Sequence, residues 1–224
     1  MTAKPTIAIL GGTGKEGPGL ALRWAHAGYT IIIGSRQSEK ALATAAELNT
    51  KLGIDTITGL PNDAAALAAD ISVLTVVATA QQAALHGLKP ALQGKILVDA
   101  TARVAFQDPR PPSQPSAGRI AQDILGPGVA VVAAFQNVPA SALKKNLDQP
   151  VGSDVLVCAD DLAAAEKTIT LTQAAGMRAF YAGGLDNAVV VEGLTALLIA
   201  MNKYYGGHAS IQVAGIAAGT EPRP

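Results

Sequence analysis

Six residues near the amino terminus have the spacing of a phosphate-binding turn. Gly12, Gly14 and Gly17 form a G-x-G-x-x-G pattern directly after an apolar strand and directly before a helix-like segment. The first glycine permits a tight bend, the second lets a pyrophosphate approach the backbone, and the third lets helix and strand pack closely. Backbone N–H groups and the positive end of the helix dipole then attract the anion. The pattern predicts dinucleotide binding; the alternative is a turn whose glycines serve packing alone.

A second polar group lies where the next strand is expected to end. An NAD site usually has a carboxylate about 20 residues after the glycines, and this carboxylate would repel a 2′-phosphate. Here the position is Ser35, followed by Arg36, with Lys40 one helical turn later. A hydroxyl, a guanidinium and an ammonium suit a phosphate, so the sequence favours NADP over NAD. Solvated surface charges are the alternative interpretation of Arg36 and Lys40.

These two groups must be positioned by the elements around them. Short β-branched runs alternate with alanine-rich stretches of helical period, which is the pattern of parallel strands joined by crossover helices. We therefore predict an α/β fold, a doubly wound, mostly parallel sheet of the Rossmann type with a small C-terminal α/β extension. The six strands expected in the main part are Thr6–Leu10, Thr30–Gly34, Asp55–Thr58, Ile71–Val77, Lys95–Ala100 and Val129–Ala134.

The pattern changes near residues 140–150 without becoming polar. "DVLVCADD" and "RAFYAGG" predict two more strands, with helices over Asp161–Ala175 and Leu185–Tyr205. We expect residues 1–145 to form an NADP-binding domain and residues 146–224 to form a smaller domain that completes a substrate cleft.

Composition makes other partners improbable. The 224 residues carry 17 basic and 17 acidic side chains, so no broad basic field attracts nucleic acid or an anionic membrane. The longest apolar stretch, Ala188–Ala200, contains Glu192 and is shorter than the roughly 20 residues of a membrane span. A helix apolar on almost every side instead predicts a homodimer interface. The lone Cys158 fits the reducing cytoplasm.

Three longer stretches carry a more specific resemblance. They are "ILGGTGKEGPGLALRWAHAGYTIIIGSRQSEKA", "LDQPVGSDVLVCADD" and "LDNAVVVEGLTALLIAMNK". Together they resemble the coenzyme F420-dependent NADP oxidoreductases, from Ile7 to about Lys203. The resemblance implies hydride transfer between C4 of a nicotinamide and C5 of a 5-deazaflavin, with NADP as cofactor and coenzyme F420 as second substrate.

The same resemblance assigns binding residues. It implies that Thr13, Gly14, Lys15 and Glu16 wrap the pyrophosphate and that Ser35, Arg36 and Lys40 hold the 2′-phosphate. It further implies that Val76, Val77 and Ala134 border the nicotinamide, in agreement with the rule that ligands bind outside the carboxyl ends of the strands. Direct hydride transfer needs no protein nucleophile or metal, and none is predicted here.

Two other functions remain open from the sequence. One is an NADPH-dependent reductase of a small carbonyl, imine, flavin or ferric substrate, for which Lys15, Asn137, Tyr204 and His208 are loosely placed proton donors. The other is a non-catalytic NADP-sensing module.

Three further features of the sequence carry expectations that a structure can check. The proline-rich stretch Asp108–Gly118 is expected to be an exposed loop that covers bound cofactors. Asp99 is expected to cap a turn after its strand. Glu192 either pairs with a hydroxyl such as that of Thr195, borders a cleft, or lies in a subunit interface, because a buried carboxylate without a partner is costly.

Overall fold

The computed structural model describes residues 4–217 and residue 220. These residues form eight strands and eight α-helices. The strands are β1 (Ile7–Leu10), β2 (Ile31–Ser35), β3 (Ile57–Pro61), β4 (Ile71–Leu74), β5 (Ile96–Asp99), β6 (Ala130–Ala133), β7 (Val155–Ala159) and β8 (Ala179–Tyr181). The helices are α1 (Gly17–His26), α2 (Ser38–Leu52), α3 (Asn62–Ala68), α4 (Ala78–Leu92), α5 (Ala117–Leu125), α6 (Ala140–Leu143), α7 (Leu162–Ala174) and α8 (Ala188–Tyr205). A single turn of 3-10 helix, Leu185–Asn187, leads into α8.

The strands form one sheet in the order β3-β2-β1-β4-β5-β6-β7-β8. The first six are parallel, β7 runs antiparallel to β6, and β8 runs parallel to β7. The chain moves outward from β1 to β3 and then returns to the other side of β1 to form β4. The order therefore reverses between β1 and β4, and a crevice opens at their carboxyl ends. This sheet confirms the predicted Rossmann-type fold.

Successive residues of the central strands face two separate hydrophobic layers, because side chains alternate along a strand. Ile7 and Ile9 of β1 pack in the layer that contains Trp24 of α1. Ala8 and Leu10 pack in the opposite layer, which contains Leu85 of α4. With both faces covered, all four β1 side chains are buried. The core thus fixes the end of β1, from which the glycine turn departs.

Two predicted strands have boundaries that are wrong by two or three residues, while the other four differ by at most one residue at either end. β3 begins at Ile57 rather than Asp55 and extends through Gly59 and Pro61. Pro61 is tolerated because β3 is an edge strand, where a missing N–H breaks no ladder. β4 ends at Leu74 instead of Val77, and Val77 lies just before α4.

The last two strands extend the sheet formed by the first six. β7 pairs with β6 through Val132 and Ala159, and Ala133 and Cys158. A later segment returns beside β7, where the Asp154 amide donates to Ile211 O at 2.9 Å. The Asp154 carboxylate accepts hydrogen bonds from Arg178 Nε at 2.8 Å and from Val213 N at 2.5 Å. The division into domains at residues 145 and 146 stays a prediction.

Candidate active site

The glycine turn joins β1 to α1 at the predicted crevice. Gly12 N donates to Gly34 O at 2.9 Å, which connects the turn to the end of β2. A Cβ on Gly12 would lie 2.6 Å from Ile9 O, and a Cβ on Gly17 would lie 2.6 Å from Gly12 Cα. Both positions therefore need glycine for the protein's own packing.

Gly14 is a glycine for a different reason. A Cβ there would meet no described protein atom closer than 3.7 Å, and no positive φ restricts the position. The backbone of Gly14 is exposed, so the free space above it faces the mouth of the turn. This arrangement supports the sequence interpretation that the second glycine makes room for a ligand.

The amides of this turn are available to an anion. Within residues 4–217, the backbone N–H groups of Thr13, Lys15 and Glu16 donate to no protein acceptor. They precede α1, whose dipole is positive at this end. Lys15 is exposed, while Glu16 is partly exposed and has one buried carboxyl oxygen, Oε1, that accepts no hydrogen bond from a described residue. These free amides suit an anion such as a pyrophosphate, and the contact of residues 13–16 with a pyrophosphate stays a prediction.

A side chain that the sequence interpretation missed supports the turn from the start of α3. Asn62, the first residue of α3, accepts from Gly11 N through Oδ1 at 3.0 Å. The same oxygen would lie 2.7 Å from a Cβ on Gly34, which explains the glycine in β2. A single amide 51 residues from its partner gives no local sequence signal.

The predicted 2′-phosphate group lies at the carboxyl end of β2. Ser35 is 6% exposed, and its Oγ accepts from Gln37 N at 3.2 Å. Arg36 and Lys40 are exposed, and neither has a carboxylate partner among the described residues. The hydroxyl and two cations therefore stand at one edge, next to the turn that Gly34 contacts.

The residues predicted to border the nicotinamide differ in accessibility. Val76 packs on the turn, since a Cβ on Gly11 would lie 2.5 Å from Val76 Cγ1. Val77 is 70% exposed, whereas Ala134 is fully buried. The Ala134 amide donates to Asp99 O at 3.2 Å. Contact of these three residues with a nicotinamide stays a prediction.

Buried polar groups lie at the carboxyl ends of β5 and β6, where hydrophobic packing alone would not place them. Asp99, the last residue of β5, is fully buried and accepts from Thr101 N at 2.9 Å, so it caps the turn as expected. It also accepts from Gln81 Nε2, and Gln136 Nε2 donates to Asp99 O at 3.0 Å. The Oε1 atom of Gln136 and Oδ1 of Asn137 are buried without a described protein partner. Free acceptors of this kind can bind donor groups of a ligand.

The backbone between β6 and these amides is strained. Phe135 has a φ of 77°, an uncommon value for a bulky residue. Its ring packs edge-on against Trp24 at a centroid distance of 5.9 Å, and Trp24 Nε1 donates to Leu171 O at 2.7 Å. The core thus fixes the turn that presents Gln136 and Asn137, a kind of strain that clusters at functional sites.

Glu192 anchors the proline-rich loop to α8. It is 0% exposed; Oε2 accepts from Arg103 N and Arg103 Nε at 3.0 Å each, and Oε1 accepts from Ala117 N at 2.7 Å. The Thr195 hydroxyl donates instead to Gln136 O at 2.8 Å. Of the alternatives for Glu192, pairing is therefore correct, but with a guanidinium and two amides rather than a hydroxyl.

The predicted cofactor-covering loop is held by bonds from its own segment, from the 3-10 turn and from α8. Arg103 Nη2 donates to Ser113 O at 2.7 Å, Gln114 Nε2 donates to Asp186 O at 2.9 Å, and Lys203 Nζ donates to Gln107 O at 3.0 Å. These bonds hold Gln107, Ser113 and Gln114 in place within residues 101–118. Whether the loop also covers a cofactor stays a prediction.

Together the sheet order, the glycine turn and the exposed cations after β2 define a protein of the Rossmann-type nucleotide-binding class. Comparison with known proteins narrows this class. The model of the family described as NADP oxidoreductase, coenzyme F420-dependent, matches residues 6–103. The chain belongs to this family of F420-dependent NADP reductases, because full-length relatives match as well.

One of those relatives is the F420-dependent NADP reductase of Methanothermobacter thermautotrophicus, 40% identical over 88% of each chain. Another is the enzyme of the same name from Methanocaldococcus jannaschii, 38% identical over 94% of this chain and 98% of the relative. A crystal structure from Arthrobacter sp. FB24, provisionally described as an F420-dependent NADP reductase, superposes with a TM-score of 0.77 at 26% identity. It covers 94% of this chain and 100% of that one. A pyrroline-5-carboxylate reductase from Coxiella burnetii, at 17% identity and a TM-score of 0.61 over 91% of this chain and 71% of that one, shares the fold alone.

Proposed function

We propose that this protein transfers a hydride between NADP(H) and coenzyme F420. The observation that carries the proposal is the pairing of an open glycine turn with Ser35, Arg36 and Lys40 at the adjacent strand end. Membership of the F420-dependent family supplies the second substrate, because the relatives are named for that coenzyme.

The chemistry asks the protein for positioning rather than for a nucleophile. Hydride passes between C4 of the nicotinamide and C5 of the deazaflavin, so in deazaflavin reduction NADPH, F420 and one proton give NADP⁺ and reduced F420. The amides of Thr13, Lys15 and Glu16 hold the pyrophosphate, for which Gly14 leaves room, and Arg36 and Lys40 hold the 2′-phosphate. Val76, Val77 and Ala134 border the nicotinamide, and the buried groups beside Asp99 exclude water from the reacting rings.

The direct test mixes purified protein, NADPH and oxidised F420 and follows the visible absorption of the deazaflavin. We expect the absorption to bleach while NADPH is consumed in equal amount. NADPH oxidation with flavin, an imine or a ferric complex, but without F420, would select the second candidate function. Tight NADPH binding with no turnover on any acceptor would instead select the sensing module.

We further propose that the active species is a homodimer formed through α8. Apolar side chains follow one another along the exposed side of this helix, including Val190 at 65%, Leu197 at 55% and Met201 at 46% exposure. Such a stripe is unusual on a monomer surface. In the described residues, Leu185–Tyr205 is also the one segment long and apolar enough to cross a membrane, yet its Glu192 is paired inside the chain. We favour burial against a second subunit, and a cytoplasmic location consistent with the buried free thiol of Cys158.

A further inference from the structure

Two adjacent side-chain amides after β6 are each held at one end only. Gln136 is 8% exposed, and its Nε2 donates to the Asp99 carbonyl oxygen at 3.0 Å. Asn137 is 3% exposed, and its Nδ2 donates to the Asp154 carbonyl oxygen at 2.7 Å. Because a carbonyl oxygen only accepts, each contact fixes which end of the amide is the nitrogen. The opposite ends, Oε1 of Gln136 and Oδ1 of Asn137, are therefore oxygens, and both are buried without a partner among the described residues.

Amides elsewhere in the chain have both ends paired. Gln122 of α5 donates through Nε2 to two backbone carbonyls and accepts through Oε1 from Val131 N at 3.2 Å. Asn49 of α2 donates to Ile57 O at 2.8 Å and accepts from Ile57 N at 3.1 Å. A buried acceptor without a donor is costly. Two such oxygens at neighbouring positions therefore indicate a place for donor groups of a ligand.

Both oxygens lie at the carboxyl edge of the sheet, the edge from which the glycine turn departs. Backbone hydrogen bonds connect the strand ends along this edge, from Thr75 N to Leu10 O at 2.9 Å, from Ala100 N to Leu74 O at 3.0 Å and from Ala134 N to Asp99 O at 3.2 Å. Three strand spacings, roughly 14 Å in all, separate β1 from β6. The proposed 2′-phosphate group lies on the other side of β1, at β2, so the nicotinamide half of a bound dinucleotide extends over β4, β5 and β6.

The neighbouring elements keep both amides in place. The Gln136 carbonyl oxygen accepts from the Thr195 hydroxyl of α8 at 2.8 Å. Asp154, which receives the Asn137 amide, is 2% exposed and accepts from Arg178 Nε at 2.8 Å. Neither side-chain amide can exchange its nitrogen and oxygen without bringing two oxygens together, so this position presents acceptors only. Fixed acceptors select a ligand group by its donors.

We propose that Gln136 Oε1 and Asn137 Oδ1 form a subsite that accepts hydrogen bonds from N–H groups of a reacting ring. The inference rests on the proposed function, which brings two rings with such groups to this edge. The carboxamide of the nicotinamide offers two N–H donors on one nitrogen, and the pyrimidine ring of the deazaflavin offers an imide N–H. A methyl group in the same place would leave both oxygens unpaired. The two amides hold the ring for hydride transfer, and no covalent bond is made or broken at them.

The first experiment compares cofactor analogues by calorimetry and needs no variant. In the 3-acetylpyridine analogue of NADP⁺ a methyl group replaces the carboxamide NH₂, whereas the thionicotinamide analogue keeps the NH₂ and replaces the carbonyl oxygen. Wild type should bind NADP⁺ roughly tenfold more tightly than the acetyl analogue, and the thio analogue within about threefold of NADP⁺.

Variants then assign this preference to the two amides. Gln136→Met and Asn137→Leu remove an acceptor at nearly constant side-chain volume, and each should lower the affinity ratio of NADP⁺ to the acetyl analogue by roughly threefold. The double variant should bind both ligands alike. The ligands differ in one group, so a general disturbance of the site weakens both and leaves the ratio unchanged. Gln122→Met makes the same replacement at a paired amide near the opposite end of β6 and should keep the wild-type ratio.

A second arm tests the deazaflavin as the source of the N–H group. Oxidised F420 does not react with NADP⁺, so its binding to the NADP⁺ complex is measured by quenching of deazaflavin fluorescence. If the deazaflavin occupies the subsite, a methyl group on its imide nitrogen should weaken binding roughly tenfold in wild type and not in the double variant. The NADP⁺ to acetyl analogue ratio would then be flat in every variant.

Defined results overturn the subsite. Wild type that binds the acetyl analogue as tightly as NADP⁺, and the methylated deazaflavin as tightly as F420, has no such acceptors in use. Unchanged preferences in a double variant whose circular dichroism is that of wild type would overturn it as well.

The outcome separates this inference from the proposed function. A carboxamide preference that the double variant loses, without any reduction of F420, would support the subsite and contradict the proposed second substrate. F420 reduction by a wild type with neither preference would do the reverse. Failure of wild type to bind NADP⁺ would overturn both.

Discussion

At the scale of the residue, glycine has two separable uses in the first turn. Gly12 is required by the protein, because a side chain would collide with Ile9 O at 2.6 Å. At Gly14, by contrast, a Cβ would meet no described protein atom closer than 3.7 Å. The sequence pattern predicted both uses, since the G-x-G-x-x-G spacing encodes them. It could not predict Asn62 or Gln81, because lone amides acting over long sequence separations have no local pattern.

The two glycines should therefore respond differently to alanine. Gly14→Ala should leave the melting temperature within about 2 °C of wild type and weaken NADPH binding at least tenfold, because the methyl group occupies the ligand side. Gly12→Ala should instead cost about 2 kcal/mol of folding free energy, because the backbone must move. Thermal unfolding and NADPH titration of both variants check this prediction. Equal stability losses in the two would contradict it.

Arg36 should determine the preference for NADPH over NADH. Charge-assisted hydrogen bonds contribute about 1.5–3 kcal/mol, so Arg36→Ala should weaken NADPH binding by roughly tenfold to a hundredfold. NADH lacks the 2′-phosphate and should bind the variant and wild type alike. The ratio of the two dissociation constants is the measurement. An unchanged ratio would show that Arg36 is only a solvated surface charge.

At the scale of the element, α1 is attached to the segment formed by the last residue of α6 and the residues after it, 143–149. Arg23 is 3% exposed and donates five hydrogen bonds to carbonyl oxygens of that segment. Their acceptors are Leu143, Lys145, Asn146, Leu147 and Gln149. Helix periodicity predicted α1 but gave no reason to bury an arginine, because its partners lie 120 to 126 residues away. The guanidinium suits this task since its donors are fixed in a plane.

Replacing Arg23 should release that segment. Arg23→Met should lower the free energy of unfolding by about 3 kcal/mol, because one buried and four part-buried hydrogen bonds are lost together. Arg110→Met is the matched control, since the Arg110 side chain is 81% exposed. Chemical denaturation of both variants tests the difference. Indistinguishable midpoints would mean that solvent replaces the five bonds without cost.

At the scale of the whole molecule, most of the sheet was predictable from the sequence because strand and helix periods alternate clearly through β6. The antiparallel turn into β7 was not, because strand direction depends on the connection rather than on the strand's own residues. Edge strand β3 was misplaced for a related reason. Its Gly59 lies directly under α2, where a Cβ would come 2.4 Å from Ala41 C, and neither glycine nor proline signals a strand.

The apolar side chains on the exposed side of α8 predict that the protein forms a homodimer. Sedimentation of wild type at micromolar concentration should give twice the 22.6 kDa mass of one chain. Leu197→Glu should shift the protein to monomer, because a carboxylate in an apolar interface is desolvated without a partner. Leu67→Glu, at a site 64% exposed on α3, should leave the dimer intact. A monomeric wild type would remove the proposed role of α8.

Deuterium transfer between the two cofactors tests the central claim most directly. NADPH carrying deuterium at both C4 positions is mixed with protein and oxidised F420 in ordinary water, and reduced F420 is analysed by mass spectrometry. Direct hydride transfer in a water-excluding cleft predicts one deuterium at C5 of each reduced molecule. Reduced F420 without deuterium, or no reduction while NADPH remains bound, would contradict hydride transfer between NADP(H) and F420 by this protein.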